Sequence, residues 1–484
     1  MSGMAERAAI GISGLDEILG GGLVPKRSYL IRGGPGRGKT TLGLQFLAAA
    51  GSGETALFIG FQESDEQLQA NAGALGIDVS RVDFLSLAPD EQFFTQQQGY
   101  DVFSAADVEQ QPVAESVMQA VKRLRPARVF VDSLTQLRFL SADIYQYRKQ
   151  VLSFLRYLTK AGATVLFSSE NSADLPDDDL QFMADGVVSF DADASGPTVR
   201  VTKFRGSDFR RGAHQMRVRA GGIVVFPRPL APVSKLTDEE RFQWKSGVVR
   251  LDAMLNGGLE AGTVSLITGP AGIGKSTLAS LFATEAARQG RRAAIYLFEE
   301  EIATFLRRSK SLGIGVESPY RDGSLFIEQV EPTRYLADEF TTKVRRHVEE
   351  EEVELVVIDS TAGFELTLEG EDIRTRLHAF AKSLARMGVS VLLINEVESL
   401  MGEFKVSERG ISYLSDNVIF LRYLETDGEL RKTVGVLKKR LSNFDNRMHP
   451  FRLGSGGALL VDDPLQGVQG VLSAGPVLVD ETVE

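Results

Sequence analysis

Gly33-Gly34-Pro35-Gly36-Arg37-Gly38-Lys39-Thr40 and Gly269-Pro270-Ala271-Gly272-Ile273-Gly274-Lys275-Ser276 decide the fold: both satisfy G-x-x-x-x-G-K-[ST] within one chain of 484 residues. Each follows a short apolar run, Ser28-Tyr29-Leu30-Ile31 and Val264-Ser265-Leu266-Ile267, and each opens a segment with helical spacing. Strand, glycine loop and helix in that order make a phosphate cradle. The glycines let backbone N–H groups turn inward, and the helix N-terminus adds partial positive charge. Lys39 and Lys275 are expected to reach the β- and γ-phosphates of a bound triphosphate, and the Thr40 and Ser276 hydroxyls to ligate Mg²⁺. Thr41 and Thr277 complete the two nucleotide-binding stretches.

Outward from these loops the chain repeats itself. Gly14-Leu15-Asp16-Glu17-Ile18-Leu19-Gly20-Gly21-Gly22-Leu23 returns as Arg250-Leu251-Asp252-Ala253-Met254-Leu255-Asn256-Gly257-Gly258-Leu259, at the same distance before each loop. Downstream, the apolar run 56–61 ends at Gln62-Glu63 and its counterpart 294–298 ends at Glu299-Glu300. Arg128 to Val131 runs into Asp132-Ser133, and Leu355 to Ile358 into Asp359-Ser360. A further pair of strands ends at Ser168-Ser169-Glu170 and at Asn395-Glu396. Continuous apolar runs alternating with helical segments are the pattern of a parallel sheet covered on both faces. The fold class is therefore α/β, as two tandem P-loop units: 8–227 and 247–463, with a proline-punctuated linker at 228–246 and a tail at 464–484.

Composition limits the alternatives. With 43% hydrophobic and 25% charged residues the chain reads as an ordinary globular protein, and no apolar run is long enough for a membrane helix. There is no cysteine and there are four scattered histidines, which removes disulfides, thiol catalysis and cysteine-ligated metal sites. The N-terminus lacks the basic-then-apolar pattern of a secretion signal, so a cytoplasmic address is expected. A net charge of −11 withholds the broad attraction that drives non-specific nucleic-acid binding. The acidic run Glu349 to Glu352 reads as a solvated helix end.

Other residues carry chemistry. Asp132 and Asp359, at strand ends beside the loops, are expected to complete the Mg²⁺ shell. Glu299 and Glu300 are placed to orient and deprotonate an attacking hydroxyl; the first unit has Gln62 and Glu63 there. Glutamine orients a water but cannot take its proton, so the two units are expected to be catalytically unequal. Lys203-Phe204-Arg205-Gly206 and Lys438-Lys439-Arg440-Leu441 present alternate cations, which suit a γ-phosphate on a neighbouring subunit. Three activities remain open on the residues alone: an ATPase that hydrolyses or transfers the γ-phosphoryl group, a DNA-handling ATPase on the same core, and a nucleotide-gated scaffold with negligible turnover.

Taken together, the doubled unit, the Gly-Leu-Asp opening, the strand-end glutamates and the Lys-x-Arg segments resemble the KaiC family, the two-domain RecA-like ATPases and autokinases of the cyanobacterial circadian clock and their bacterial relatives. The resemblance implies a two-tiered homohexamer with ATP and Mg²⁺ between subunits, a slow ATPase in the first unit, a phosphotransferase in the second, and a KaiB-like partner. It also marks residues 401–416 as a phosphorylation segment, with Ser412 as acceptor and Ser407 as a second hydroxyl. Where the family carries a threonine after the serine this chain has Tyr413, and Leu441 replaces the glycine of the Lys-x-Arg-Gly segment.

Overall fold

A computed structural model describes residues 6–87, 105–138, 141, 143–170, 177–193, 196–229, 242–368, 372–397, 413–426, 429–453, 459–466, 468–469 and 477–478. Ser407, Ser412, linker residues 230–241 and most of the tail lie outside that set. The chain divides into two compact units, Met1–Arg228 and Pro229–Glu484.

The first unit is built on β1 (Ser28–Gly33), β2 (Ala56–Gly60), β3 (Val82–Ser86), β4 (Arg128–Asp132), β5 (Thr164–Glu170), β6 (Gly186–Asp193), β7 (Gly196–Phe204), β8 (Ala213–Arg219) and β9 (Gly222–Phe226). They form one nine-stranded sheet in the order β3-β2-β4-β5-β1-β6-β7-β8-β9. Pairing is parallel from β3 to β6 and antiparallel from β6 to β9. The second unit opens with a short hairpin, β10 (Gln243–Trp244) and β11 (Leu259–Glu260). Its sheet strands are β12 (Val264–Gly269), β13 (Ala293–Leu297), β14 (Leu325–Gln329), β15 (Leu355–Asp359), β16 (Ser390–Glu396), β17 (Asn417–Thr426), β18 (Glu429–Lys439), β19 (His449–Leu453) and β20 (Leu459–Val461). Their order, β14-β13-β15-β16-β12-β17-β18-β19-β20, repeats the first position by position. Two tandem RecA-like domains are the result.

The parallel part of the sheet is buried on both faces. Along β4, Val129 and Val131 point to one apolar layer and Phe130 to the other, and all three are fully buried. One layer is filled by the helix Lys39–Ala48, through Leu42, Leu44, Phe46 and Leu47; the other by Val117 and Val121 of Ala105–Leu124 with Val151, Leu155 and Leu158 of Ile144–Lys160. In the second unit Lys275–Arg288 takes the first role, with Phe282 at its centre. There Phe340, Phe364 and Phe380 pack as an aromatic cluster on the opposite face.

Contact between the P-loop helix and its sheet is close enough to be tested. A Cβ on Gly43 would lie 2.1 Å from the Phe130 ring. Gly43→Ala is therefore expected to cost about 1–3 kcal/mol, the ordinary scale of overpacking, despite the better helix propensity of alanine. Thermal unfolding of the variant measures it. Among the described residues no helix is long and apolar enough to cross a membrane.

Candidate functional site

Because β2, β4, β5 and β1 are neighbours and parallel, their carboxyl ends meet along one edge of the first sheet. Ligands of open α/β sheets bind along that edge. The loop Gly33–Thr40, the pair Gln62 and Glu63, Asp132 and Glu170 all fall there, although far apart in sequence. Together they line a cavity of about 350 Å³.

Loop geometry follows from its glycines. Gly38 precedes the helix Lys39–Ala48 at φ +92, a left-handed conformation that favours glycine, and no side chain caps the helix N-terminus. The first N–H groups are thus left for an anion. Gly274 does the same before Lys275–Arg288 at φ +120. Gly33 is needed for a different reason: a Cβ there would sit 2.7 Å from the Phe190 carbonyl oxygen of β6.

Lys39 is buried, and its Nζ donates to the carbonyl oxygens of Gly33 (2.7 Å) and Gly34 (2.9 Å). Burial lowers its pKa, and Asp132, Glu170 and Asp177 oppose that shift. Thr40 Oγ1 donates to Asp132 Oδ2 at 2.5 Å, and Ser168 donates to the other oxygen of the same carboxylate. Gln62 Nε2 donates to Glu170 Oε1 at 3.1 Å, and Glu63 accepts from Asn71 Nδ2 at 3.2 Å.

The second unit assembles the same positions with different partners. Lys275 Nζ donates to the Pro270 carbonyl (2.8 Å) and pairs with Glu396 Oε2 (3.3 Å). Burial lowers its pKa, against the opposing pull of Glu396, Asp359 and Glu299. Glu299 Oε1 accepts from Ser360 Oγ at 2.6 Å. Burial pushes the Asp359 carboxyl up to about 6; the Ser276 hydroxyl and the Arg308 guanidinium pull it down, while Glu299 and Glu300 add to the rise. Both oxygens of Glu300 accept from Arg308, at 3.0 Å and 2.7 Å.

A hydroxyl and a carboxylate in contact at the head of the P-loop helix, Thr40 with Asp132 and Ser276 with Asp359, form the hard oxygen set that Mg²⁺ prefers. The residues present fit that ion.

The Lys-x-Arg segments lie elsewhere. Lys203 on β7 faces Val187, and the neighbouring Gly186 pairs with Tyr29 near the start of β1. Lys203 Nζ donates to the Gln181 carbonyl at 2.8 Å, and Arg205 lies 3.9 Å from Asp185. Lys438 and Arg440 repeat this at the start of β12, through the Ser415 carbonyl (2.6 Å) and Asp416 (3.2 Å). At about 3.3 Å per residue the far end of the strand is roughly 16 Å from the loop, so none of these cations reaches the P-loop of its own unit. Tyr413 is described and is exposed.

Sequence reasoning assigned nothing to Glu170, Glu396, Asn71 or Arg308. The first two carried a signal, since each ends an apolar strand; the last two carried none beyond their spacing from Glu63 and Glu300.

Comparison with known proteins agrees with this architecture. The family model described as "ATPase: KaiC" matches residues 8–229 and again 244–464. A "Circadian clock oscillator protein KaiC" of Prochlorococcus marinus is 27% identical over 487 residues, covering 97% of this chain and 95% of that protein. The protein of the same name from Synechococcus elongatus is 26% identical over 492 residues, covering 98% of this chain and 92% of its own.

Proposed function

The chain belongs to the KaiC family of ATPases, and from that premise we propose that it binds Mg·ATP in both units, hydrolyses it, and in the second unit transfers the γ-phosphoryl group to Ser412 of the adjacent copy, with Ser407 a minor acceptor. The observation that carries the reading is the division of each site. Lysine, hydroxyl and carboxylates converge at one end of the sheet, while Lys203 and Arg205, or Lys438 and Arg440, stand at the other. A site of this kind is completed by a neighbouring copy, which supports ATP held between subunits of a homohexamer whose assembly state is the signal. A cytoplasmic address and a KaiB-like partner belong to the same reading.

In the second unit the roles are as follows. The P-loop amides and Lys275 hold the β- and γ-phosphates and cancel their charge. Lys438 and Arg440 of the adjacent copy meet the γ-phosphate from the other side. Mg²⁺, held by Ser276 and Asp359 when bound, supplies further charge neutralisation at the phosphates. Glu299 takes the proton of the Ser412 hydroxyl as its oxygen bonds to the γ-phosphorus. The bond from that phosphorus to the bridging oxygen breaks, and ADP leaves. With water in place of Ser412 the same residues release phosphate.

In the first unit Gln62 holds the position of Glu299 and cannot accept the proton, which supports slower turnover there. Gln62→Glu is expected to raise steady-state hydrolysis by about 10-fold or more. The new carboxylate would replace the Gln62–Glu170 bond by a like-charge contact, holding its proton to higher pH and making it a better base near neutrality. Phosphate release measures this, and an unchanged rate would mean that Glu63 already serves as the base or that another step limits turnover.

Incubation with ATP labelled at the γ-position, followed by mapping of the labelled residue, tests the whole. Label at Ser412 with none at Tyr413 is expected. Turnover without label anywhere in 401–416 would leave an ATPase and remove the kinase.

A further inference from the structure

Glu300 and Glu63 occupy matching positions but are held by different chemistry. Each lies at the same spacing before a residue of the following helix: Asn71 of Asp65–Leu75 in the first unit, Arg308 of Ile302–Ser311 in the second. Asn71, exposed and neutral, gives Glu63 one hydrogen bond of 3.2 Å to Oε2. Arg308 gives Glu300 a two-pronged fork, Nε to Oε1 at 3.0 Å and Nη2 to Oε2 at 2.7 Å. Its third nitrogen, Nη1, donates to Thr277 Oγ1 at 3.2 Å. Thr277 is buried in the first turn of the P-loop helix, next to Ser276. The guanidinium carbon stands 5.2 Å from the ring of the fully buried Phe305, which fixes the side chain from beneath. A planar fork on a carboxylate is a rigid, bidentate contact, and here it ties the strand-end acid to the helix that carries the phosphates.

We propose that Arg308 is a positioning residue of the second site: by locking Glu300 to Thr277 it withdraws that carboxylate from proton transfer and leaves Glu299 as the sole acceptor. With both oxygens held in the fork, Glu300 cannot turn toward an attacking hydroxyl without breaking it. Glu299, one residue earlier, spends one oxygen on Ser360 and keeps the other. The first unit has no such lock. Its Glu63 faces a neutral amide, so the two units differ in the order of their acidic residues and also in which of them is free to move.

The proposal rests on Glu299 being the base, and its test separates the two claims. Glu299→Gln is made in the full chain in two backgrounds, with Arg308 present and with Arg308→Asn, the first unit being silenced throughout by Asp132→Asn at its Mg²⁺ position. ATP turnover and the KM for ATP are measured in each. With Arg308 present, Glu299→Gln is expected to lower turnover by about 10²–10⁴-fold. In the Arg308→Asn background the same change is expected to cost less than about 10-fold, because the released Glu300 takes over. Arg308→Asn alone should leave the KM for ATP within about two-fold, which a collapse of the site would not do. Arg308→Lys keeps the charge without the fork; it is expected to give an intermediate penalty, and serves if Arg308→Asn does not fold. Equal penalties in both backgrounds overturn the positioning role while leaving Glu299 as base. No penalty with Arg308 present overturns the base itself.

Discussion

Glu299→Gln is expected to remove most phosphoryl transfer from the second unit, a loss of about 10²–10⁴-fold, the usual contribution of a positioned general base. The substitution keeps shape and can keep the acceptor that Ser360 Oγ meets at 2.6 Å, so the site should stay assembled. What disappears is the capacity to take a proton. No other carboxylate at that edge is placed to replace it. Glu300 is forked by Arg308, Asp359 faces the Ser276 hydroxyl, and Glu396 is paired with Lys275. Label transfer from γ-labelled ATP and phosphate release are both read, since serine and water share the same acceptor. A variant that retains full transfer, with the first unit silenced, would move the chemistry to another group.

Lys39→Ala is expected to disperse the ATP-dependent assembly more than Lys275→Ala does. A lysine on a triphosphate makes charge-assisted contacts worth about 1.5–3 kcal/mol each. Losing two of them weakens nucleotide binding by roughly 10²–10⁴-fold, at about 1.4 kcal/mol per decade. Both variants suffer this, and Lys275→Ala suffers an addition: it leaves Glu396, now without its partner at 3.3 Å, facing the phosphates. In the first unit Lys39 bonds only to the carbonyls of its own loop, and Glu170 is engaged by Gln62. Nucleotide affinity alone would therefore predict the larger loss in the second unit. If assembly nonetheless fails first in Lys39→Ala, hexamer formation resides in the first unit, as the family resemblance implies. Light scattering of both variants in ATP decides, and equal hexamer fractions would sink the asymmetry.

Both predictions use residues that were legible before any coordinates. The two P-loops, the strand-end acids and the doubling of the unit are local patterns. Glycine, lysine and hydroxyl sit at fixed spacing, and an apolar run stops at a carboxylate. Such features survive in sequence because a loop between a strand and a helix is built from consecutive residues. The inner strands were equally legible, since burial on both faces forces an unbroken apolar run, as in Leu57-Phe58-Ile59 and Val356-Val357-Ile358. The parallel strands at the sheet edges, β3 and β14, escaped that logic. β3 is half-buried along its whole length and β14 mixes buried with partly exposed positions, so neither carries a continuous apolar signature.

What the sequence by itself determined is the parts: two α/β units, their phosphate loops, and the acids Asp132, Glu63, Asp359, Glu299 and Glu300 at strand ends. Only the tertiary structure decided their partners. The order β2-β4-β5-β1 brings Glu170 beside Gln62, and β13-β15-β16-β12 brings Glu396 onto Lys275, across more than a hundred residues of chain. It also carries Lys203 and Arg205, with Lys438 and Arg440, to the opposite end of the sheet, because an antiparallel strand returns toward the start of β1 or β12. The reason is that hydrogen-bonded strand order is set by how the sheet buries both of its faces. Residues that meet along its edge are neighbours in that order and not along the chain.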